Sequence, residues 1–321
     1  MNRLAGIALS LAVMLGAATG MAQAQDYPTK PIKLIGPFAA GGSGDVTARL
    51  IADFLEKRWG QSVIVENRVG GGGLLGSDAV KRAAPDGYTL LMGYDGITSF
   101  SLFLKDNTLD QTKDLAPISL LVRYPLVMLT STALPVKTTQ EFIAYAKANP
   151  GKINYGIITN SPSHLYGALL AKKAGLDMAF IPYPGAAALT QSMLAGETHA
   201  TMSLYGSFVP AIKDGKVIAL NSMSTERMKQ APDVPTMREG GVDILASIWY
   251  GLFAPAGTPQ PIIDKLAAAA KDWTKAPNVI EQAERLRMDL VGGTPAELAK
   301  LIVDDTAARA EAAKAGNIQP Q

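Results

Sequence analysis

The sequence predicts an α/β protein of two lobes with parallel-rich sheets, joined by a double hinge. Short apolar runs rich in β-branched residues alternate with amphipathic segments, a pattern typical of a parallel sheet covered by helices. A chain of 321 residues exceeds the usual size of one domain. Residues 115–130 leave the first lobe and residues 247–254 return to it. These two crossings predict lobe 1 as residues 25–124 and 247–321, and lobe 2 as residues 125–246.

The individual elements follow from periodicity and from turn residues. Nine segments predict strands: 31–35, 62–66, 88–92, 115–130, 153–157, 179–182, 198–204, 216–221 and 247–254. Helical spacing predicts helices at 47–59, 74–83, 139–149, 165–174, 189–195, 261–274, 279–287 and 294–315, and a further helix opening at 205–207. Thr138 or Thr139 is expected to open its helix, and Thr294 with Glu297 forms a predicted capping box.

The first 24 residues predict a secretory signal peptide. Arg3 supplies a positive start, an apolar stretch follows, and Ala22 and Ala24 form a cleavage pattern. A membrane anchor is the alternative, but the polar start at Gln25 favours cleavage after Ala24. We therefore expect an exported, soluble mature chain.

Composition narrows the function. The net charge of +2 argues against nucleic acid as a partner. The absence of cysteine excludes thiol catalysis, and two histidines do not favour a metal site. Gly71, Gly73 and Gly76 match a dinucleotide fingerprint with Asp95 downstream, but an exported chain does not meet that cofactor. We expect neither a cofactor nor a metal.

The stretch from Leu34 to Arg49 has the pattern of an anion site. An apolar strand breaks at a run of glycines, and a helix follows. The glycines allow a ligand to approach the backbone, and the free N–H groups of the first helical turn point towards it. Ser43 and Thr47 add hydroxyl groups, and Asp45 is the expected N-cap.

The second lobe repeats this arrangement three times. A hydroxyl-rich turn at 159–164 follows a predicted strand and leads into a helix, and residues 183–187 and 205–207 open helices after two further predicted strands. Serine at a helix start is commonly a cap, but three such starts at strand ends favour a binding site. Ser163 next to His164 leaves open a secreted hydrolase of carboxylate esters, although no carboxylate lies at a spacing that would orient the histidine.

Six segments together resemble the Bug (TctC-like) family of periplasmic receptors of tripartite tricarboxylate transporters. They read YPTKPIKLIGPFAAGGSGD, VIVENRVGGGGLLGSDAVKRAAPDGYTLLMG, ANPGKINYG, APDVPTMREGG, FAPAGTP and VGGTPAEL. The resemblance covers nearly the whole mature chain. It implies a type II periplasmic-binding-protein fold and a carboxylate enclosed between the lobes, with waters bridging it to the facing loops.

The resemblance also implies the ligand-binding residues. In lobe 1 the matching positions are Phe38, Gly41, Gly42, Ser43, Gly44, Asp45, Tyr94, Asp95 and Gly96. In lobe 2 they are Ser161, Ser163, His164, Tyr183, Gly185, Ala186, Ser203 and Ser207. Many relatives have lysine in place of Pro184 and aspartate in place of Ser203, so this chain lacks an acid that would hold a ligand ammonium.

The sequence therefore predicts a periplasmic receptor, and not an enzyme. It is expected to be a monomer that captures a small organic carboxylate and delivers it to membrane transporter subunits. A receptor that feeds a sensor protein is the other alternative, and the sequence does not separate the two.

Overall fold

The computed structural model describes residues 27–99, 107–159 and 161–317. The predicted signal peptide lies outside the described residues. Every predicted strand is present, with ends that differ by at most two residues. The strands are β1 Ile32–Gly36, β2 Val63–Asn67, β3 Thr89–Tyr94, β4 Leu115–Ser131, β5 Asn154–Ile157, β6 Ala179–Pro182, β7 Ala200–Leu204, β8 Val217–Ser222, β9 Ser247–Pro255 and β10 Asp289–Leu290.

The predicted helices are also present. They are α1 Ser43–Trp59, α2 Leu74–Lys81, α3 Thr139–Ala148, α4 Pro162–Ala174, α5 Ala186–Leu194, α6 Tyr205–Lys213, α7 Gln260–Trp273, α8 Pro277–Leu286 and α9 Pro295–Ala315. Helices α1, α4 and α5 begin three or four residues earlier than periodicity predicts. Residues 43–46, 162–164 and 186–188 therefore belong to the helices and not to preceding loops.

The strands form one continuous sheet in the order β2-β1-β3-β9-β4-β7-β5-β6, with β8 and β10 also paired to β4. Both outer parts are parallel: β1 pairs with β2 and β3, and β5 pairs with β6 and β7. The centre is antiparallel, because β4 and β9 cross between the two parts.

Strand β4 changes its neighbours midway. Its residues from Leu115 to Pro125 pair with β9, and those from Leu126 onward pair with β7 and β8. The change falls between Pro125, which pairs with Ser247 of β9, and Leu126, which pairs with Leu204 of β7. A single 17-residue strand, and not two separate strands, thus connects both halves of the sheet.

Two sets of apolar clusters cover the two halves. In the first half, Leu34, Ile51 and Trp273 belong to one fully buried cluster. In the second half, Phe142 and Tyr155 belong to another. Helix α9 contributes to both halves: Leu298 and Ile302 pack with the first, whereas Ala312 and Ala313 pack with the second. The last helix therefore bridges the two cores.

Candidate functional site

The candidate loops all follow the carboxyl ends of parallel strands. In the first half they follow β1 and β3, and in the second half they follow β5, β6 and β7. Parallel neighbours end at the same edge of a sheet, which is where open α/β sheets bind ligands.

Helix α1 starts at the glycine-rich turn after β1. Gly42 is its N-cap and has no side chain to cap the first turn. Gly41, with φ of 82°, takes the left-handed conformation that favours glycine. The turn is exposed up to Gly42 and becomes buried at Gly44, so the start of the helix is open to solvent on one side.

The prediction that Asp45 is the N-cap is wrong. Asp45 lies in the first turn, because the helix already begins at Ser43. Its carboxylate reaches back and accepts a hydrogen bond from the Gly41 N–H at 2.9 Å, and it also accepts from Asn67 and Arg49. Desolvation raises the pKa of Asp45, but these three hydrogen bonds outweigh it and lower the pKa below its usual range. Asp45 therefore holds the turn in shape from inside the helix.

An aromatic group surrounds this helix start. The ring of Phe38 lies edge-to-face against Tyr250 and Tyr94, with centroids 5.7 Å and 6.4 Å apart. The Tyr250 hydroxyl lies 2.8 Å from the Ser43 hydroxyl. Tyr124 packs edge-to-face on Tyr250. Tyr250 and Tyr124 are residues that sequence reasoning missed, because they lie on the crossing strands and not in a turn.

Two glycines allow these rings to pack. A Cβ at Gly44 would lie 2.7 Å from the Phe38 ring, and a Cβ at Gly96 would lie 2.3 Å from the Tyr94 ring. The Tyr94 hydroxyl donates to the carbonyl of Gly72. Phe38, Ser43, Gly44, Tyr94 and Gly96 thus lie together around the start of α1.

Asp95 has a different environment from the rest of this group. Its carboxylate is 5% exposed and accepts a hydrogen bond from Arg309 at 2.5 Å. Burial raises the pKa of Asp95 to about 6, opposed by the Arg309 guanidinium and reinforced by the charge of Asp305. The carboxylate of Asp95 therefore faces the last helix.

The turn before α4 forms a second polar cluster. Ser161 is the N-cap position but makes no side-chain cap, and its hydroxyl lies 2.8 Å from that of Ser163. The buried Ser163 hydroxyl also accepts from the Ile158 N–H at 2.9 Å. His164 packs its ring 6.3 Å from Phe180, and burial lowers its pKa. Ser163 thus fixes the turn through contacts with its own loop.

The turn before α5 contains Tyr183 and Gly185. Gly185 is the N-cap of α5, Ala186 follows as an exposed first residue, and a Cβ at Gly185 would meet open space. The Tyr183 hydroxyl, however, lies 2.6 Å from Ser192 and 2.8 Å from Thr198. Its polar end is anchored behind the turn, so only the ring of Tyr183 can face a ligand.

Ser203 and Ser207 lie at the end of β7 and in the first turn of α6. Ser203 is half-buried and pairs with Val127 of β4. Ser207 is exposed. Between them, Gly206 lies against the end of α8, since a Cβ there would be 3.3 Å from the Leu286 carbonyl.

Helix starts in the candidate loops lack side-chain caps. The N-cap residues of α1, α4, α5 and α6 make no side-chain hydrogen bond to the first turn. Among the helices that begin elsewhere, α3 and α9 are capped by Thr138 and Thr294, and Thr294 with Glu297 forms the predicted capping box, whereas α2, α7 and α8 also lack a side-chain cap. First-turn N–H groups in the candidate loops thus receive no acceptor from their N-cap side chains.

A cavity of about 1030 Å³ lies elsewhere and is lined by none of the predicted site residues. Arg123, Gln230, Arg287 and Asp289 are among its lining residues. It borders the crossing strands and α9, where Leu301, Asp305 and Ala308 line it. We place the candidate ligand site at the loops and not in this cavity, because the loops carry the glycine turns and open helix starts.

Two sheet halves joined by crossing strands, with open helix starts at the strand ends of each half, define a solute-binding protein. Residues 47–317 match the family model described as the tripartite tricarboxylate transporter family receptor, TctC. The chain belongs to this family, whose members are solute-binding receptors and not enzymes.

Three similar proteins illustrate the relationship. Protein BugT of Bordetella pertussis is 33% identical over 286 residues, 88% of each chain. The structure of Rhodopseudomonas palustris MatC (Rpa3494) with bound malate is 32% identical with a TM-score of 0.71, covering 89% of this chain and 99% of that one. The structure of R. palustris Rpa4515 with adipate is 27% identical with a TM-score of 0.76, covering 92% and 100%.

These matches confirm the predicted family and fold class. They also remove the alternative of a hydrolase using Ser163 and His164, because the family consists of receptors. Within the part of the chain that the structure describes, no helix combines the length and apolarity required to cross a membrane.

Proposed function

We propose that this protein is a periplasmic receptor that captures a small organic carboxylate between two lobes and delivers it to a tripartite tricarboxylate transporter. Residues 25–124 and 247–321 would form lobe 1, and residues 125–246 would form lobe 2. The change of neighbours along β4 at residue 125 supports this division. Helix α9 belongs to lobe 1 in this division but packs its last turn against lobe 2.

One observation carries the proposal: the start of α1 has no side-chain cap and holds a fixed hydroxyl beside its first turn. Gly42 leaves the first turn without a side-chain cap, and Tyr250 holds the Ser43 hydroxyl at its edge. A helix N-terminus contributes about 0.3–2 kcal/mol to anion binding, and each charge-assisted hydrogen bond about 1.5–3 kcal/mol. A few such contacts reach micromolar affinity, about −8 kcal/mol.

The proposed ligand is a dicarboxylate without an ammonium group. Malate and adipate, bound by the two R. palustris relatives, are both dicarboxylates. The open starts of α4, α5 and α6 supply a second set of donors for the other carboxylate. An ammonium group would lack an acidic contact, since Ser203 is neutral and the carboxylates of Asp45 and Asp95 are engaged within lobe 1.

The contacts divide the predicted site residues by role. We propose that the backbone from Gly41 to Gly44, the Ser43 hydroxyl, and the turns at Ser161 and Gly185 contact the ligand. Asp45, Asp95 and the hydroxyl of Tyr183 would support these loops from behind, because their polar atoms already have protein partners.

A thermal-shift panel tests the proposal. The purified mature chain is mixed separately with malate, adipate, succinate and glutarate, and with aspartate and glutamate as matched amino acids. A compound that binds only the folded state raises the melting temperature. We expect a rise with at least one dicarboxylate and a smaller one with its amino-acid analogue. A larger rise with aspartate than with succinate would contradict the ligand class.

Closure and delivery need separate measurements. Small-angle scattering should give a smaller radius of gyration with the dicarboxylate that raises the melting temperature. Uptake of that compound, isotopically labelled, should fall when the gene is deleted from its host and recover on complementation. Unchanged uptake with retained binding would favour the sensor alternative.

Export is tested by mass. We propose cleavage after Ala24, so the mature chain recovered from the periplasm should begin at Gln25. An intact mass that still includes residues 1–24 would contradict it.

A further inference from the structure

A buried ionic cluster lies behind the candidate site. Arg309 of α9 is 2% exposed, and all three of its guanidinium nitrogens have partners. Nη2 donates to Asp95 at 2.5 Å, Nη1 to Ser99 at 3.2 Å, and Nε to Asp305 at 2.9 Å. A buried guanidinium with two carboxylates is costly to desolvate, so its neighbours are held in a narrow geometry.

The cluster fixes the turn that ends β3. Asp95 and Ser99 open and close the short helical turn of residues 95–99, and Thr98 also donates to Asp305 at 2.8 Å. Trp249 of β9 donates to the same carboxylate at 3.3 Å. This turn carries Gly96, against which the Tyr94 ring packs. The position of α9 therefore sets the position of a lobe 1 candidate loop.

The same helix packs against the second half one turn later. Ala312 and Ala313 are buried in one cluster with Leu165 and Tyr166 of α4. Lys173 of α4 forms an exposed ion pair with Glu311 of α9 at 3.1 Å. Helix α4 begins at the turn that holds Ser161 and Ser163.

Tyr166 of α4 lies within range of the charges of the ionic cluster. Its hydroxyl is buried and has no hydrogen-bond partner among the described residues. The charges of Arg309, Asp305 and Asp95 all act on it. Tyr166 lies one helical turn after Ser163, so a buried path leads from Asp95 through Arg309 to the start of α4.

We propose that Arg309 is a positioning residue that couples the two sets of ligand-binding loops. Its planar guanidinium fixes both the distance and the rotation of α9 relative to the turn at 95–99. A displacement of α9 also displaces α4, because Ala312 and Ala313 pack closely against α4 and close-packed helices move together. This inference rests on the proposed function for its effect on affinity, but the coupling itself is independent of any ligand.

The test uses three variants of the full mature chain. Arg309→Lys keeps the positive charge but replaces the planar guanidinium by a single ammonium group. Asp305→Asn keeps the side-chain shape and removes one charge. It replaces Arg309→Lys in the test if that variant does not fold. Lys173→Ala is the control, because it breaks an exposed ion pair on the same helix interface.

The first measurement is amide hydrogen exchange without ligand. In Arg309→Lys or Asp305→Asn, exchange should become at least about fivefold faster in residues 94–99 and also in residues 161–165. Lys173→Ala should leave both segments unchanged. Faster exchange confined to residues 94–99 would show a local structural role and overturn the coupling, as would no change in either segment.

The second measurement is affinity for adipate and for malate by calorimetry. The Kd of whichever binds the wild-type chain should rise about tenfold or more in Arg309→Lys, as expected for misplaced hydrogen bonds. Unchanged affinity together with faster exchange at both loops would overturn the positioning role. If neither compound binds the wild-type chain, the affinity is measured with the dicarboxylate that raises the melting temperature in the thermal-shift panel; if none does, the ligand proposal fails while the exchange result still decides the coupling.

Discussion

The hydroxyl of Ser43 lies 2.8 Å from the hydroxyl of Tyr250, although 207 positions separate them in the sequence. One belongs to the first turn of α1 and the other to β9, the strand that returns from the second half. The candidate anion site is therefore attached directly to one of the two crossing strands. Movement of that strand changes the orientation of a proposed ligand donor.

Tyr250→Phe should weaken dicarboxylate binding while the fold survives. The ring remains in its aromatic packing with Phe38 and Tyr124, but Ser43 loses its partner. One lost hydrogen bond of about 0.5–1.5 kcal/mol corresponds to a Kd increase of about two- to tenfold. Calorimetry with the best dicarboxylate measures it. Tyr145→Phe on α3 is the control, and equal affinity in both variants would contradict the role of Tyr250.

Gly44→Ala and Gly42→Ala should behave differently. A Cβ at Gly44 would meet the Phe38 ring at 2.7 Å, whereas the nearest atom to a Cβ at Gly42 is at 3.6 Å. We expect Gly44→Ala to lower the free energy of unfolding by about 1–3 kcal/mol through overpacking. At the N-cap, Gly42→Ala should cost less than about 1 kcal/mol. Urea denaturation of both variants measures the difference, and equal stability would mean that the Phe38 ring moves aside freely.

Ser203→Asp should move ligand preference towards amino acids. A carboxylate at the end of β7 would pair with a ligand ammonium that otherwise loses its hydration without a partner, a cost of several kcal/mol. The ratio of affinities for aspartate and succinate, measured by calorimetry, should rise relative to the wild-type chain. Ser203→Thr keeps the hydroxyl and should leave the ratio unchanged. No shift in the aspartate variant would place residue 203 outside the ligand's reach.

The raised pKa of Asp95 predicts that the free energy of unfolding depends on pH. A single guanidinium serves two buried carboxylates, and burial raises the pKa of Asp95 to about 6 from its ordinary value of 3.8. The folded state then holds the proton more tightly than the unfolded state. This stabilisation is complete below about pH 4 and is lost as the pH rises through about 6. Charged and titratable groups that act on Asp95 or lie beside it are Arg309, Asp305, Tyr94, Tyr166 and Tyr250.

Denaturation at several pH values checks this prediction. The free energy of unfolding of the wild-type chain, relative to that of Asp95→Asn, should fall by about 2 kcal/mol between pH 4 and pH 7. The asparagine variant is the reference because it keeps the side-chain shape and does not titrate. A relative stability that stays constant or rises over this range would show that Arg309 keeps Asp95 ionised.

Local patterns predicted most of the fold. Each strand of the prediction is present, and Thr294 caps its helix with Glu297 as expected. Helices α1 and α4 begin earlier than predicted because glycine and serine, typical turn residues, also accept helical dihedral angles in a first turn. In α5 the additional residues are the alanines 186–188, which favour a helix. The early start of α1 also explains Asp45, which is inside the helix and not its cap.

The sequence by itself determined the order of elements, the turns at the strand ends and the family, because periodicity, glycine and capping residues act over a few neighbouring positions. Only the tertiary structure decided which side chains support those turns. Tyr250 reaches Ser43, and Arg309 reaches Asp95 across 214 positions, because β9 and α9 follow the return of the chain to the first half. Contacts between residues so far apart in the sequence depend on the order of the strands in the whole sheet, which no local sequence pattern specifies.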